Sequence, residues 1–279
     1  MGSADVVPGV SGGTIALIVG IYEQLVKTVR TGAAALGHLL RLDIAAALAA
    51  LRRIDWWFIG PLAIGLITAV LTLARLIELV LEDYPIGTSA FFFGLVLGSI
   101  PIAWSYVRRP GRIHVLIAAV SGVVTYVLLG LRGEALVDPS LALVFGSGAI
   151  AICAMILPGI SGSLILLMLG MYDRVIEALN DRELAVIAVF AAGAVVGLAL
   201  FSTLLDFLLR RYHDLVMAAL VGLMLGSLRV LWPWPHGADS AAIGAPDGAW
   251  IGAVSLAVAA AAIILALGRL GRRAATLGV

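Results

Sequence analysis

Long uncharged runs separated by short polar stretches dominate this chain. Eight such runs can be traced, and six of them suit single membrane-spanning helices, which need about 20 apolar residues each. These six runs are 56–74, 86–107, 113–131, 184–205, 215–228 and 248–268. The other two, 6–22 and 139–172, are interrupted by similar motifs, VPGVSGG and LPGISGS.

The run 139–172 is too long to be one membrane-spanning helix. Its 34 residues would form a helix of about 51 Å, whereas the hydrocarbon core of a bilayer is about 30 Å thick. Pro158 and Gly159 break a helix, and Gly162 permits the positive φ that a chain reversal needs. Non-helical backbone at membrane depth must be surrounded by protein or a water-filled cavity. We therefore predict a re-entrant hairpin with its tip at a cavity wall, and a second hairpin over 6–22.

Composition supports an all-α integral membrane protein forming a single membrane domain, 1–279. Hydrophobic residues make up 62% of the chain and charged residues 13%, and the mean hydropathy is +1.11. A chain of this composition is too apolar to be a soluble enzyme or a nucleic-acid-binding protein. The single cysteine, Cys153, excludes an intramolecular disulfide and a multi-cysteine metal site, and we expect no bound metal.

The basic residues predict the orientation of the chain. With the N-terminus inside, 13 of the 18 Lys and Arg residues fall on the cytoplasmic side and four fall outside. Positive residues concentrate in cytoplasmic loops. Both termini are therefore predicted to be cytoplasmic.

The chain contains an internal repeat. Residues 8–23 align with 158–173 at an offset of 150, and GLVLGS at 94–99 aligns with GLMLGS at 222–227 at an offset of 128. The repeats, 1–131 and 139–268, each contain one hairpin and three spans. Because three is odd, the second repeat must be inverted relative to the first, an architecture typical of transporters whose broken segments form the substrate site.

The predicted tips carry backbone N–H groups, hydroxyls and the starts of helices, which favour a small anion such as phosphate. The same groups could hold Na⁺ through carbonyl and hydroxyl oxygens. A third interpretation is that the small residues only permit close helix packing. The candidate phosphate-binding residues at the tips are Gly9, Ser11, Gly12, Gly13, Thr14, Gly159, Ser161, Gly162 and Ser163.

Charged residues within or beside the apolar runs are further candidates, because charge is costly in a membrane. Arg75 is a candidate phosphate ligand, although it could instead form a snorkelling pair with Glu78. Glu78 aligns with Asp206 in the repeat, an arrangement that would suit proton handling. The candidate coupling residues are Asp5, Glu23, Glu78, Asp173 and Asp206.

The segments 1–23 and 154–173, with their duplicated PG-x-SG and trailing G-x-Y-acid patterns, resemble the family once called domain of unknown function 368. That family is now associated with PopT polyprenyl-phosphate translocases. The resemblance covers nearly the whole chain and implies a non-enzymatic flippase in a prokaryotic cytoplasmic membrane. It would return undecaprenyl phosphate, a lipid carrier of cell-wall precursors, from the outer to the cytoplasmic leaflet. We expect no cofactor, and coupling to protons or sodium.

Three alternatives stay open. PG-x-S-G also resembles part of the PG-x-S-R-S motif of BacA-type undecaprenyl-pyrophosphate phosphatases, but Gly12 and Gly162 replace the arginine. An intramembrane serine protease would use G-x-S-G, yet no histidine lies deep in a span. An ion-coupled carrier of a small soluble anion would share the transporter architecture.

Overall fold

A computed structural model describes residues 1–2, 11–131, 133, 136, 139–237, 243–246, 248 and 250–276, without the side chains of 40, 70, 74, 78 and 270–276. Within these residues the chain forms twelve α-helices and no strand, which confirms the all-α prediction. The helices are α1 (Gly12–Ile18), α2 (Tyr22–Leu40), α3 (Ile44–Arg52), α4 (Trp56–Asp83), α5 (Pro85–Trp104), α6 (Arg112–Leu128), α7 (Leu141–Ile156), α8 (Gly162–Met168), α9 (Tyr172–Asn180), α10 (Leu184–Arg211), α11 (His213–Ser227) and α12 (Trp250–Thr276).

Four helices are long and apolar enough to cross a membrane, compared with the six single spans predicted. They are α4, α5, α10 and α12. The other two predicted spans correspond to α6 and α11, which are apolar but shorter. The 15 residues of α11 extend only about 22 Å, less than the thickness of the hydrocarbon core.

The predicted interruption of 139–172 is present in the structure. Helix α7 ends at Ile156, α8 begins at Gly162, and the two helices contact each other. The residue with positive φ is Gly159, at +87°, and the prediction that Gly162 has this role is wrong. Gly162 instead starts α8, where a Cβ would lie 2.8 Å from Met155 Cγ, so this glycine permits close packing.

The local helix pattern recurs at the offsets read from the sequence. Helices α1 and α8 each have seven residues and begin 150 positions apart, and each is followed by a positive-φ glycine, Gly20 or Gly170. Helices α4 and α10 each have 28 residues and begin 128 positions apart. Their N-termini receive equivalent contacts: Gln24 Nε2 donates to Asp55, and Arg174 donates to Glu183.

The helices pack reciprocally between the two halves of the chain. Helix α5 packs against α12, where a Cβ on Gly94 would lie 2.0 Å from the Ala257 carbonyl oxygen. Helix α11 packs against α6, where a Cβ on the equivalent Gly222 would lie 2.3 Å from the Ala118 carbonyl oxygen. The helix that carries the GL-x-LGS motif in each half thus packs on the last helix of the other half. This exchange is expected of two repeats related by a pseudo-two-fold axis.

The stretch 23–55, predicted as a basic loop, contains α2 and α3. Helix α2 presents Tyr22 and Val26, one turn apart and almost fully buried, to the largest hydrophobic core. That core also contains Leu17 of α1, Val96 of α5 and Met224 of α11. It therefore fixes α1 among helices from both halves of the chain.

Candidate functional site

Ser11 organises the first tip, before α1. Its Oγ donates to the Met155 carbonyl oxygen at 3.0 Å and accepts from the Gly13 N–H at 3.0 Å, which caps the helix. Ser11 is 1% exposed. A Cβ on Gly13 would lie 2.5 Å from the Ile156 carbonyl oxygen, so only glycine fits here. The first tip is therefore held tightly against the end of α7.

The second tip is the turn between α7 and α8. Ser161 occupies the N-cap position of α8, but its side chain makes no capping hydrogen bond. Its Oγ lies 2.7 Å from the Oγ of Ser163, which is half-buried. The two hydroxyls at this tip are thus bonded to each other, whereas the Ser11 hydroxyl is bonded to backbone on both sides.

The two tips contact each other directly. Gly159 N donates to Thr14 Oγ1 at 2.9 Å, across 145 residues of sequence, and Thr14 is fully buried. Gly159 also lies against α11, where a Cβ would be 2.6 Å from Ser227 Oγ. The structure therefore brings the two tips into contact, and in this conformation the Gly13 and Gly159 N–H groups and the Ser11 hydroxyl all donate within the protein.

Other predicted site residues lie elsewhere or outside the described residues. Arg75 is exposed on α4, and no described hydrogen bond or ion pair joins it to a tip. Asp173 is exposed in the first turn of α9. Asp5, Gly9 and the side chain of Glu78 lie outside the described residues. The roles assigned to these residues stay predictions.

Asp206 forms an ionic cluster that the sequence analysis did not predict. Its Oδ2 lies 2.5 Å from Arg30 Nη1 of α2 and 2.9 Å from Arg210 Nε of α10, and Asp206 is 6% exposed. The Arg30 contact joins the two halves of the chain. Apolar residues at helical spacing, such as Tyr22 and Val26, could have revealed α2, but not the helix it contacts.

A second polar cluster links α2 to α11 beside the first. The His213 imidazole lies between Glu23 Oε1, at 2.9 Å from Nε2, and Asp214 Oδ1, at 3.0 Å from Nδ1. The hydrogen bond with His213 lowers the pKa of Asp214 to about 2, and the backbone N–H groups of Arg108 and Arg109 contribute. Glu23, a predicted coupling residue, therefore contacts an imidazole.

On the second repeat, Arg174 donates to both carboxylate oxygens of Glu183, at 2.8 and 2.5 Å. This hydrogen bonding lowers the pKa of the Glu183 carboxyl, although the carboxyl is exposed to solvent. The pair attaches α9 to the start of α10. It is the charged equivalent of the Gln24–Asp55 contact and has a structural role.

Four helices long and apolar enough to cross a membrane, together with two Gly-Ser motifs in direct contact, place the chain in the class of membrane proteins. Comparison with known proteins identifies the family. Residues 1–265 match the family described as undecaprenyl phosphate translocase-like, and the chain belongs to this family.

Two relatives carry the same name, polyprenyl-phosphate transporter. The protein from Vibrio cholerae serotype O1 is 44% identical over 237 residues, which is 84% of this chain and 75% of the relative. The protein from Staphylococcus aureus is 29% identical over 254 residues, which is 84% of this chain and 83% of the relative. No solved structure matches the chain significantly. The relatives are transporters, in agreement with the expectation of a non-enzymatic protein.

Proposed function

We propose that this protein transports polyprenyl phosphate, with undecaprenyl phosphate as the substrate, from the outer to the cytoplasmic leaflet of a prokaryotic inner membrane. The observation that carries the proposal is the direct contact of the two Gly-Ser tips through Gly159 and Thr14. Membership of a translocase-like family and the names of two relatives support the choice of substrate.

The phosphate headgroup binds where the tips meet. The hydroxyls of Ser161 and Ser163 form hydrogen bonds to its oxygens, together with backbone N–H groups that a rearrangement of the tips releases. The prenyl chain is apolar and needs no aqueous path, so it stays in lipid while the headgroup crosses. This division explains how a chain with few charged residues could carry an amphipathic substrate.

Alternating access follows from an inverted repeat, 1–131 and 139–268, with one re-entrant hairpin in each half. The recurrence of helix lengths at offsets of 150 and 128 and the reciprocal packing of α5 on α12 and α11 on α6 support this arrangement. In such proteins one repeat rocks against the other around a site near the midplane. The tip-to-tip contact would then be the pivot between outward-open and inward-open states.

The ionic clusters around Asp206 and His213 close the cytoplasmic side in this conformation. Both join α2 to helices of the second repeat, through Arg30 and Glu23. Separation of the halves on that side requires these contacts to break. Asp206 and Glu23 are therefore proposed to couple the inner gate to a proton or another cation.

An energetic argument supports coupling. Moving one negative charge inward against a negative-inside potential costs about 2.3 kcal/mol per 100 mV. A proton or sodium ion that moves with the phosphate would offset this cost. We propose ion coupling for that reason.

The test uses the purified full chain in liposomes that carry undecaprenyl phosphate in the outer leaflet. We expect the chain to deplete the outer leaflet faster than in protein-free liposomes, and an imposed pH or sodium gradient to change the rate. A matched sample with inorganic phosphate outside tests the small-anion carrier. Release of phosphate from undecaprenyl pyrophosphate would instead support the phosphatase alternative, and no depletion by a folded chain would overturn the proposal.

A further inference from the structure

An apolar groove runs along the contact between α5 and α12. Its volume is about 450 Å³, and its walls include Phe93, Leu97, Ala257, Val258 and Ala262. On α12 the groove extends from Ala253 to Leu265, about 18 Å of helix. Such a groove can hold an extended hydrocarbon chain.

One end of the groove joins a second cavity, and an arginine side chain lines this second cavity. Phe93 and Trp232 line both cavities, and Arg229 lines the second. The Arg229 guanidinium lies 4.6 Å from the centre of the Tyr126 ring and has no acidic partner among the described residues. An arginine on an aromatic face is well placed to bind a phosphate.

The same end of the groove carries a further donor. Trp234 lines the groove and is 4% exposed, and its indole N–H lacks an acceptor within the described part of the chain. Buried polar groups are normally hydrogen-bonded. A headgroup oxygen could supply the missing acceptor after a local adjustment, whereas the neighbouring Trp232 N–H already donates to the Gly244 carbonyl oxygen.

The other end of the groove approaches the first broken segment. Leu265 packs against the cluster formed by Ile18, Ile102 and Ile264, and Ile18 is the last residue of α1. Arg229 lies two positions beyond Ser227, which contacts Gly159 of the second tip. A lipid with its headgroup at Arg229 and its chain in the groove would thus lie beside both broken segments.

We propose that the α5–α12 groove and Arg229 form an entry site for the substrate lipid, with the phosphate on Arg229 and the prenyl chain along α12. The inference rests on the proposed function and deepens it. Charge complementarity selects the occupant: a terminal phosphate monoester offers a guanidinium more charge and more free oxygens than the phosphodiester of a bilayer phospholipid. Arg229 is a binding residue here, because it holds the headgroup before it reaches the tips.

The test is photocrosslinking of the full chain in phosphatidylcholine liposomes with a polyprenyl phosphate that carries a diazirine in its chain. We expect crosslinks on α5 and α12, and displacement by unlabelled polyprenyl phosphate but not by an equal amount of phosphatidylglycerol. Arg229→Gln should lower crosslinking about tenfold, the effect of losing a charge-assisted hydrogen bond. Its matched control is Arg211→Gln, another arginine stacked on a tyrosine, 5.9 Å from the Tyr212 ring.

A second pair of variants tests the chain-binding part. Ala262→Phe fills the groove, whereas Ala259→Phe places the same ring on an exposed position of α12 that does not line it. Ala262→Phe should lower crosslinking several-fold and Ala259→Phe should not. Because both alanines are exposed on one helix, the two variants should fold alike, and thermal unfolding checks this.

Outer-leaflet depletion, measured on the same samples, separates the two proposals. If the wild-type chain depletes the outer leaflet but phosphatidylglycerol displaces the probe equally well, or the variants crosslink like their controls, the entry site is wrong and the proposed function stands. If specific crosslinks form without depletion, the entry site stands and the transport proposal fails.

Discussion

The two tips share the pattern PG-x-SG but are held in place differently. In the first, the Ser11 hydroxyl is bonded to the Gly13 N–H and to the Met155 carbonyl, and it is almost fully buried. In the second, Ser161 makes no capping hydrogen bond, and its hydroxyl is bonded to that of Ser163. The first tip is therefore fixed by the backbone of the second repeat, whereas the second tip keeps hydroxyls that can change partners.

This difference separates two roles that one duplicated motif could have shared. A hydroxyl bonded to backbone on both sides mainly stabilises the fold, while a hydroxyl paired with another can turn toward a ligand at little cost. We expect substitutions at the first tip to lower stability and substitutions at the second to lower transport. Three sets of variants test the comparison of the tips, and a fourth tests a contact away from both.

Exchanging the residues at positions 13 and 163, one of the pairs that differ between the tips, should have the largest effect. Gly13→Ser installs the serine found at 163, but its Cβ would lie 2.5 Å from the Ile156 carbonyl oxygen. Overpacking typically lowers the free energy of unfolding by roughly 1–3 kcal/mol, and we expect a loss at the upper end of this range or above it. The reciprocal Ser163→Gly should cost far less. Thermal unfolding in detergent measures both, and equal stabilities would contradict the difference between the tips.

Removing the contact between the tips should have the next largest effect. Thr14→Val keeps the shape of the side chain but leaves the buried Gly159 N–H without its acceptor. The expected loss is about 1–3 kcal/mol in the free energy of unfolding. Thr14→Ser keeps the hydroxyl and removes only a buried methyl group, so the free energy of unfolding should fall by about 1 kcal/mol or less. If the two variants unfold alike, the hydrogen bond does not hold the tips together.

Single alanine substitutions compare the equivalent serines. Ser11→Ala removes a helix cap, and we expect a loss of about 1 kcal/mol in stability. Ser161→Ala removes no cap, so stability should change little while liposome transport falls about tenfold through loss of a hydrogen bond to a charged headgroup. The division of roles would be wrong if Ser161→Ala lowered stability more than Ser11→Ala.

The smallest expected effect concerns acid stability at the start of α11, away from both tips. Because the pKa of Asp214 is about 2, against an ordinary value of about 3.9, its carboxylate stabilises the fold above about pH 4. That stabilisation is lost as the pH falls from about 4 to 2. Asp214→Asn should reduce the change in the thermal unfolding midpoint between pH 4 and pH 2. The control Glu177→Gln, at an exposed acid of α9, should leave this pH dependence unchanged. An unchanged profile for Asp214→Asn would contradict the assignment.

Much of the fold was predictable because hydrophobic length and helix-breaking residues act locally. The interruption near Pro158 and Gly159 follows from the impossible length of an unbroken helix, and the structure places it there. Which glycine takes positive φ was not predictable. A Cβ at Gly159 would also lie 2.6 Å from Ser227 Oγ of α11, and no local pattern reveals this approach of a residue distant in sequence.

The site was only partly predictable for the same reason. The motifs identified Ser11, Thr14 and Ser161, and the structure joins the two tips through Thr14 and Gly159, although the role of these residues in binding stays a prediction. The clusters around Asp206 and His213 were missed. Their partners lie on α2, in a stretch predicted as a loop, and no local pattern reveals that α2 contacts α10 and α11.

The central claim is that both tips bind one phosphate headgroup together. Hydrogen–deuterium exchange of the amides at 11–14 and 161–163, with and without saturating undecaprenyl phosphate, tests this claim most directly. The account predicts slower exchange at both tips with the phosphate lipid and no change with the matching prenyl alcohol. Protection of one tip alone, or of neither, would contradict it.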